Sequence, residues 1–180
     1  MRTLLVRLEK DLKRKRKELT KFFTLSFALS LILTLLFYFP PVRIVGSLDN
    51  SLSYRFFIRI KASDDLRRKD KQIRKYRYVE AYVGDLLQYP PIREKRVLYL
   101  VKKVACFPGD KLEVRGDKFY CNGNFIARAH PESPFPPISE SGVIPEGHYF
   151  LLGTHPRSFD SRYMGVFPIR RITAVLIPLF

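Results

Sequence analysis

The sequence predicts a mainly β domain preceded by a single transmembrane helix, and three observations support this fold class. An uncharged, mostly apolar run of 18 residues occupies positions 22–39. Beyond it, short segments rich in β-branched and aromatic residues alternate with turns that contain glycine, asparagine or proline. Of the 180 residues, 46% are hydrophobic, which excludes collagen-like and generally disordered chains and leaves enough apolar area for one folded domain.

The apolar run at 22–39 is long enough to cross a membrane as a helix, which needs roughly 17–25 residues. Its serine and threonine hydroxyls can bond to the helix's own carbonyls, and Pro40 and Pro41 end the helix at the far interface. A cleaved signal peptide would have a shorter apolar part and end in small residues, and a buried soluble helix is rarely apolar on every face. The sequence therefore predicts an uncleaved single-span anchor.

Residues 1–21 place positive charge on one side of this span, because they contain nine basic and three acidic residues, a net charge of +6. Basic flanks stay in the cytoplasm, so residues 43–180 are expected on the outer side of the inner (cytoplasmic) membrane, which in a Gram-negative cell is the periplasm. Leucines near one helical face of 1–21 predict a basic amphipathic segment that contacts the anionic lipids of the inner leaflet.

The whole chain is basic, with 33 Lys and Arg against 17 Asp and Glu and a formal charge of +16, which suits nucleic acid, anionic lipid or an acidic partner. Seven basic residues crowd into positions 67–77, within an insertion at about 64–77. A nucleic-acid patch is one interpretation, and a solvated loop or short helix is the other. The compartment favours the second, so no nucleic-acid partner is expected.

The domain at 43–180 contains seven segments with the composition of β-strands. They are residues 54–61, 97–105, 111–115, 119–121, 125–129, 148–152 and 171–177. Turn signals such as Pro108-Gly109-Asp110 and Asn122-Gly123 separate them. Helical patterns are few, which makes the domain mainly β.

Three polar segments of this domain carry motif-like spacing: DNSLSYR at 49–55, KKVACFPGD at 102–110 and GTHPRSFDSRYMG at 153–165. In order and spacing they resemble the motif boxes of type I signal peptidases, the S26 family of Ser/Lys serine proteases. The second segment matches a basic pair followed by Pro-Gly-Asp. The third matches the family's last box at Gly153, Ser158, Asp160, Ser161, Arg162 and Gly165.

The resemblance implies a signal-peptidase-like β domain, serine endopeptidase activity without a cofactor, and precursor proteins as substrates. Within the family the chain is most like the conjugative-transfer, TraF-type peptidases that mature pilins, because of its single anchor, small size and Ser-Leu-x-Tyr at 51–54. That branch implies a conjugative prepilin in a type IV secretion system, cleaved or cyclised. Enzymes of this branch carry Ser-Leu-Pro where this chain has Ser51-Leu52-Ser53.

Lys102 is the candidate general base. A lysine can take a proton near pH 7 only if apolar surroundings destabilise its charged form. Alternation along 98–105 puts Lys102 on the face of Leu98 and Leu100 and Lys103 on the opposite face, so one of the two lysines must point inward. An edge-strand lysine that blocks aggregation is the structural alternative. The resemblance adds Lys103 as a supporting residue.

Ser51 is the favoured nucleophile, because it follows the anchor closely and would meet a membrane-tethered substrate. Ser53 is the alternative nucleophile and Ser47 a third, and each could instead be a turn or capping serine. The backbone N–H of Ser51 can donate to the developing oxyanion. Asp49 stands where many relatives have a second hydroxyl donor, and an ionised carboxylate cannot donate.

The remaining candidates support the site. The resemblance implies that Ser158 orients the lysine and that Asp160 and Arg162 brace it, the alternative being a β-turn with a surface ion pair. Cys106 and Cys121 bracket the Pro-Gly-Asp turn and are candidates for a disulfide in an oxidising compartment, with two free buried thiols as the alternative. The three histidines show no ligand spacing, so no metal is expected, and no Gly-rich phosphate loop is present.

Three functions remain open at this level. The first is a signal-peptidase-type serine endopeptidase, acting on prepilin or as a general leader peptidase. The second is a non-enzymatic bitopic assembly factor of a secretion channel. The third is a basic membrane protein that contacts nucleic acid, which the compartment disfavours.

The charge asymmetry generates a prediction about topology. A reporter enzyme that is active only outside the cytoplasm, fused after Phe180, should be active, because the +6 segment before the span stays inside. A fusion after Lys21, before the span, is the control and should be inactive. Activity of a strictly cytoplasmic reporter at Phe180 would contradict the predicted orientation.

Overall fold

The computed structural model describes residues 2–38, 43–46 and 52–179. The chain forms two compact units, Met1–Pro41 and Val42–Phe180. The first contains the predicted anchor and the second contains the β structure.

The first unit is one long helix, α1, which runs from Arg2 to Tyr38. By length and composition its stretch Lys13–Leu35 could cross a membrane, and no other helix among the described residues could. Thr24 and Thr34 donate hydroxyl hydrogen bonds to carbonyls of the preceding turn, as expected for hydroxyls in an apolar helix. The helix has no break near residue 21, so the basic segment continues into the apolar run. Residues 39–41, the predicted end of the span, lie outside the described residues.

The second unit contains eleven strands within the described residues. They are β1 (Arg43–Gly46), β2 (Phe56–Lys61), β3 (Tyr78–Tyr82), β4 (Tyr99–Cys106), β5 (Lys111–Arg115), β6 (Lys118–Cys121), β7 (Asn124–Arg128), β8 (Gly142–Val143), β9 (His148–Leu152), β10 (Phe167–Pro168) and β11 (Ile172–Pro178). Three short helices accompany them, α2 (Leu66–Tyr76), α3 (Pro90–Glu94) and α4 (Ser161–Met164), with a 3₁₀ turn at Ile169–Arg171. The mainly β fold class is confirmed.

The strands form two sheets in which neighbouring strands are antiparallel. The main sheet has the order β1-β2-β11-β3-β4-β9-β10, and the small sheet has the order β7-β6-β5-β8. The boundaries of the seven predicted strands lie within one or two residues of the sequence-based ranges.

Four strands were not predicted from the sequence. Three of them, β1, β8 and β10, have only two to four residues, too few for a recognisable pattern. The fourth, β3, lies inside the main sheet, where it pairs with both β11 and β4. Val79, Glu80 and Ala81 are all buried in it, and the charge of Glu80 in the middle hid a strand that is otherwise apolar.

One face of the main sheet carries the largest core. Strand residues such as Val79, Val104 and Val175 pack there with Ile73 of α2 and Ile92 of α3. A second core contains Leu112 and Phe119 of the small sheet together with Phe150 and Leu152 of β9. The domain is therefore held together by two apolar clusters that share the strands β4 and β9.

The basic segment at 64–77 contains the helix α2. A solvated loop or a short helix was expected there, and the segment forms the short helix. Asp65 caps its first turn by accepting the N–H of Arg68, and Arg77 ends it in a left-handed conformation. Ile73 enters the main core, and the ammonium of Lys69 is buried and donates to the Ile172 carbonyl. Most of the other cations of the helix are exposed.

A partly buried ion pair spans β11. Arg59 on β2 donates two hydrogen bonds to Glu80 on β3, at 3.0 and 2.7 Å, and Thr173 on β11 donates a third at 2.6 Å. Burial alone would raise the pKa of Glu80, but the hydrogen bonds from Arg59 and Thr173 and the attraction of Arg59 outweigh it and hold the pKa below its ordinary value. The pair therefore holds three neighbouring strands together and is charged at neutral pH.

A disulfide joins the two sheets. Cys106 at the end of β4 is bonded to Cys121 at the end of β6, with Cα atoms 5.9 Å apart, in the range that bridging geometry requires. The bond closes a loop between residues 15 positions apart, which includes the Pro-Gly-Asp turn.

Breaking this bond should destabilise the domain. For a loop of this length the bond contributes about 3 kcal/mol to the free energy of unfolding, chiefly by restricting the unfolded chain. We expect the double variant Cys106→Ala/Cys121→Ala to lose about that amount in a guanidinium titration in neutral detergent. Reductant should lower the stability of the wild type towards that of the variant and leave the variant unchanged. A wild type that is indifferent to reductant would contradict the pairing.

Candidate active site

Lys102 lies in the interior of the main sheet. It is in the middle of β4, opposite Val79 of β3, and only 2% of its surface is exposed. Its neighbour Lys103 lies on the other face and is exposed. The two lysines therefore point to opposite faces of the strand, as predicted, with Lys102 inward. Because β4 is an interior strand, Lys102 is not an edge-strand lysine.

The ammonium of Lys102 meets a hydroxyl from a distant loop. Its Nζ donates to Oγ of Ser158 at 2.9 Å, across 56 positions of sequence. The acidic side chain of the adjoining strand, Glu80, is opposite Val101 and hence on the other face of the sheet, where it binds Arg59. Burial disfavours the charged form of an amine, and a neutral partner such as a hydroxyl does little to restore it.

The loop that carries Ser158 begins where β9 leaves the sheet. Strand β9 pairs with β4 at Lys103 and Val104, and it ends at Leu152, opposite Lys103. The next residues, 153–160, therefore leave the sheet beside Lys102. This topology explains why Ser158 reaches the lysine although the two are far apart in the sequence.

A buried ion pair shapes this loop. Arg162 and Asp160 are 2% and 0% exposed and form two hydrogen bonds of 2.8 Å through the guanidinium. The guanidinium also donates to backbone carbonyls of the loop and of the neighbouring strand β7: His155, Pro156, Ser158 and Arg128. Asp160 accepts the N–H of Gly153 as well, which closes the loop at its start. The pair is thus internal, and the alternative of a surface turn is excluded.

The guanidinium of this pair keeps its charge in the interior. Burial alone would lower the pKa of Arg162, but its hydrogen bond to Asp160 and the attraction of that carboxylate outweigh burial and hold the pKa above its ordinary value.

Ser161 has a role that sequence reasoning did not assign, since it entered only as a residue of the motif. Its buried hydroxyl accepts the N–H of Leu151 in β9 at 2.8 Å. This contact fixes the end of the loop to the sheet. Its position between Asp160 and Arg162 could have indicated this role, because a loop that holds a buried ion pair needs internal hydrogen bonds to the sheet.

The candidate nucleophiles lie in a segment that is only partly described. Ser51, the favoured nucleophile, and Ser47 and Asp49 lie outside the described residues. Ser53 is exposed, and its hydroxyl donates to Thr154 Oγ1 at 3.1 Å. Leu52 is buried in a small cluster with Phe57 and Leu176. Leu52 is therefore anchored in the core, and Ser53 contacts the loop that carries Ser158.

The Pro-Gly-Asp box has a structural explanation. Gly109 has φ +89°, a conformation that glycine adopts freely, and Asp110 accepts the N–H of Phe107 at 2.7 Å and a hydrogen bond from Asn122 at 2.9 Å. These contacts form the tight turn between β4 and β5. The carboxylate lies close to Cys106 and Cys121, but both sulfurs are consumed by the disulfide and offer no thiolate to a metal.

This arrangement can carry out proton transfer. A buried amine on a rigid strand, with a hydrogen bond to a hydroxyl, can exist without its proton and accept one from a neighbouring nucleophile. The loop that holds the hydroxyl is fixed by a buried ion pair and by a hydrogen bond to β9. An amine that acts as a base needs this kind of orienting shell.

Comparison with protein families gives one match that covers most of the chain. Residues 16–179 match the family model described as "Signal peptidase, peptidase S26". This span includes most of α1, all of the β domain and every candidate residue named above.

Curated proteins and a solved structure give shorter matches. The chain is 31% identical over 88 residues to the chloroplastic thylakoidal processing peptidase 1 of Arabidopsis thaliana, over 48% of this chain and 26% of that protein. It is 27% identical over 92 residues to "Signal peptidase I V" of Bacillus subtilis strain 168, over 43% of this chain and 55% of that protein. The matches thus span about a quarter and about half of the two relatives. A crystal structure of a signal peptidase I from Enterococcus faecalis V583 aligns with a TM-score of 0.34 and 21% identity, over 56% of this chain and 92% of that one.

The ion pair around the loop generates a stability prediction. Arg162→Met should lower the free energy of unfolding by about 3–5 kcal/mol, because it leaves Asp160 charged and buried without its partner. The double variant Asp160→Asn/Arg162→Met should lose less, since the asparagine side chain is neutral and its amide oxygen can still accept the N–H of Gly153. Denaturant titrations in neutral detergent measure both losses. Equal losses would mean that the buried charge is not the cause.

Proposed function

The chain belongs to the signal peptidase family of peptidase S26, and from that premise we propose that it is a membrane-anchored serine endopeptidase that cleaves exported precursor proteins. The observation that carries the proposal is the buried Lys102, hydrogen-bonded to Ser158 within a loop that the Asp160–Arg162 pair fixes. A purely structural lysine is rarely buried, because loss of hydration disfavours its charge. A general base requires that environment.

In the proposed reaction Ser51 is the nucleophile and Lys102 the base. Neutral Lys102 takes the proton of the Ser51 hydroxyl as its oxygen attacks the scissile carbonyl carbon, and the backbone N–H of Ser51 donates to the resulting oxyanion. As the C–N bond breaks, the lysine passes the proton to the leaving amine and an ester to Ser51 remains. Water, deprotonated by the same lysine, then attacks the ester carbon. The bond to the Ser51 oxygen breaks, the lysine returns the proton to that oxygen, and the carboxylic acid product leaves.

Supporting residues keep the lysine ready for this reaction. Ser158 accepts a hydrogen bond from Nζ and so helps to orient the amine. Ser161, Asp160 and Arg162 fix the loop that carries Ser158. Removing these contacts would take this restraint from the lysine, even with the sheet intact.

The anchor suits substrates that arrive in a membrane. Helix α1 has a stretch, Lys13–Leu35, that could span it, and the start of the β domain follows within a few residues of the end of the helix. A precursor held by its own apolar segment would reach such a site by diffusion in two dimensions. With the basic end of α1 inside, the proposed site is on the outer side of the cytoplasmic membrane.

The substrate that the sequence favours is a conjugative prepilin. The resemblance to TraF-type peptidases rests on the single anchor, the small domain and the Ser-Leu-x-Tyr segment at 51–54. Cyclisation of the pilin would require that its N-terminal amine, rather than water, attacks the ester to Ser51. A general leader peptidase would use the same residues on a wider set of precursors.

The proposal predicts that Ser51→Ala and Lys102→Met each reduce precursor cleavage by about a thousandfold or more, because each removes a reacting group. Methionine keeps the apolar volume of the buried lysine, so the fold should survive. Ser139→Ala, an exposed serine outside the site, is the matched control and should cleave normally. Electrophoresis of a prepilin and of a general secretory precursor measures the rates, and faster cleavage of prepilin is expected.

The same experiment tests the register and the base. Loss of activity in Ser53→Ala with full activity in Ser51→Ala would move the nucleophile by two residues. The rate should rise with pH as Lys102 loses its proton, and it should be unaffected by metal chelators. A folded Lys102→Met variant that still processes the precursor would refute the enzymatic proposal and favour an assembly factor.

A further inference from the structure

A second concave surface adjoins the candidate site and is not used by the proposed reaction. This groove, with a volume of about 730 Å³, lies between the end of β4, strand β7 and the start of the loop after β9. Gly153 and Thr154 line it, and Thr154 is a partner of Ser53. Lys103, the neighbour of Lys102, also lines it. The groove therefore borders on Ser53, the alternative nucleophile.

The groove is basic on every side. Arg77, Lys103, Arg128 and Arg162 line it, and none of its described lining residues is acidic. Arg162 is neutralised by Asp160, and Arg128 forms an exposed ion pair with Asp117 at 3.1 Å. Arg77 and Lys103 are exposed and take part in none of the ion pairs found among the described residues. An occupant with negative charge would find two cations that no carboxylate in the described part of the chain neutralises.

The shape of the groove suits an extended polypeptide. Strand β7 is the edge of the small sheet, and four consecutive residues, 125–128, line the groove. When a strand presents its edge to a surface, side chains from both faces of the strand line that surface. The lining includes the small side chains of Ala105, Ala127 and Ala129, which leave room for a backbone. An edge strand beside an open groove can pair with an added strand.

We infer that this groove binds an extended, acidic segment of the substrate next to the bond that is cleaved. The inference rests on the proposed function, since it assumes that the substrate is a polypeptide held at the adjoining site. Arg77 and Lys103 are then specificity-determining residues, which select precursors with Asp or Glu within a few residues of the cleavage site. Strand β7 orients the segment, and the cations select its charge.

A peptide fits this surface better than the other polyanions. Binding of single-stranded nucleic acid usually needs several aromatic platforms for the bases, and Phe125 and the imidazole of His130 are the aromatic rings among the described residues that line the groove. A lipid headgroup needs a surface that faces the bilayer rather than a cleft between strands. Both ligands are outcomes of the test below.

The test is direct binding to the full-length protein in non-ionic detergent, which removes lipid charge. The probe is a fluorescently labelled synthetic peptide of β-forming residues, long enough to pair along β7 and carrying several Asp, and its comparison is the same peptide with Asn in place of each Asp. Fluorescence anisotropy at low ionic strength measures both affinities. An unlabelled oligodeoxynucleotide of similar charge and detergent micelles that contain anionic lipid are the competitors.

Two variants and two matched controls isolate the groove. Arg77 has φ +63°, so Arg77→Asn keeps a residue that tolerates this conformation, and Arg96→Asn is its control at φ +50° outside the groove. Lys103→Gln is matched by Lys61→Gln, an exposed strand lysine elsewhere. Each groove variant should weaken binding of the Asp peptide by about two- to fivefold, the range for exposed charge pairs, and leave the Asn peptide unchanged. The controls should change neither.

Each other outcome overturns the inference. Equal binding of the Asp and Asn peptides, or equal losses in the control variants, would show that the groove does not read charge. Tighter binding of the oligonucleotide or of the anionic lipid in micelles, lost in the same two variants, would assign the groove to that ligand instead. Because the assay measures binding without cleavage, it can succeed even if Ser51→Ala retains activity. If the protein cleaves its precursor but binds the Asp and Asn peptides equally well, this inference is refuted and the proposed function is not.

Discussion

The buried pair of Asp160 and Arg162 is the interaction on which the candidate site depends. Two charges with almost no exposure are costly unless every donor and acceptor finds a partner. Here the guanidinium directs its N–H groups to the carboxylate and to carbonyls of the loop at 153–160 and of β7. The pair therefore acts as the internal frame of a loop that has little regular structure of its own. Through Ser158, this frame determines where the hydroxyl partner of Lys102 stands.

Lys102 itself is held by a different principle. It is carried by the strand β4, which lies between β3 and β9 in the sheet, so backbone pairing on both sides of the strand positions its Cα. The charge of Glu80, which could have kept the lysine protonated, is on the opposite face and is engaged by Arg59 and Thr173. Neighbouring residues of a strand point to opposite faces of the sheet, so the Arg59–Glu80 ion pair lies on one face and the buried amine of Lys102 on the other. A buried amine on an interior strand and a hydroxyl on a braced loop give the two-sided support that the proposed proton transfer needs.

The two sheets meet where the chemistry is proposed. The disulfide connects the end of β4 to β6, and the second core joins β9 to the small sheet. This joint also creates the basic groove between β4 and β7, so the element that stabilises the domain shapes the surface beside the site. The cations at this surface contribute to the formal charge of +16. Others lie on the exposed face of α2, whose inner face is anchored by Ile73 and Lys69.

The sequence by itself determined the features that depend on neighbouring residues. An 18-residue uncharged run implies an apolar helix, and a two-residue alternation around two lysines implies that one of them points inward. Motif spacing selected Ser158, Asp160 and Arg162, and the resemblance implied that Ser158 orients the lysine. Only the tertiary structure decided that the Asp160–Arg162 pair is buried, that Ser161 ties the loop to β9, and that β3 is an interior strand despite Glu80. The physical reason is distance along the chain: periodicity records which face a residue is on, whereas the partner on that face comes from a strand or loop dozens of positions away.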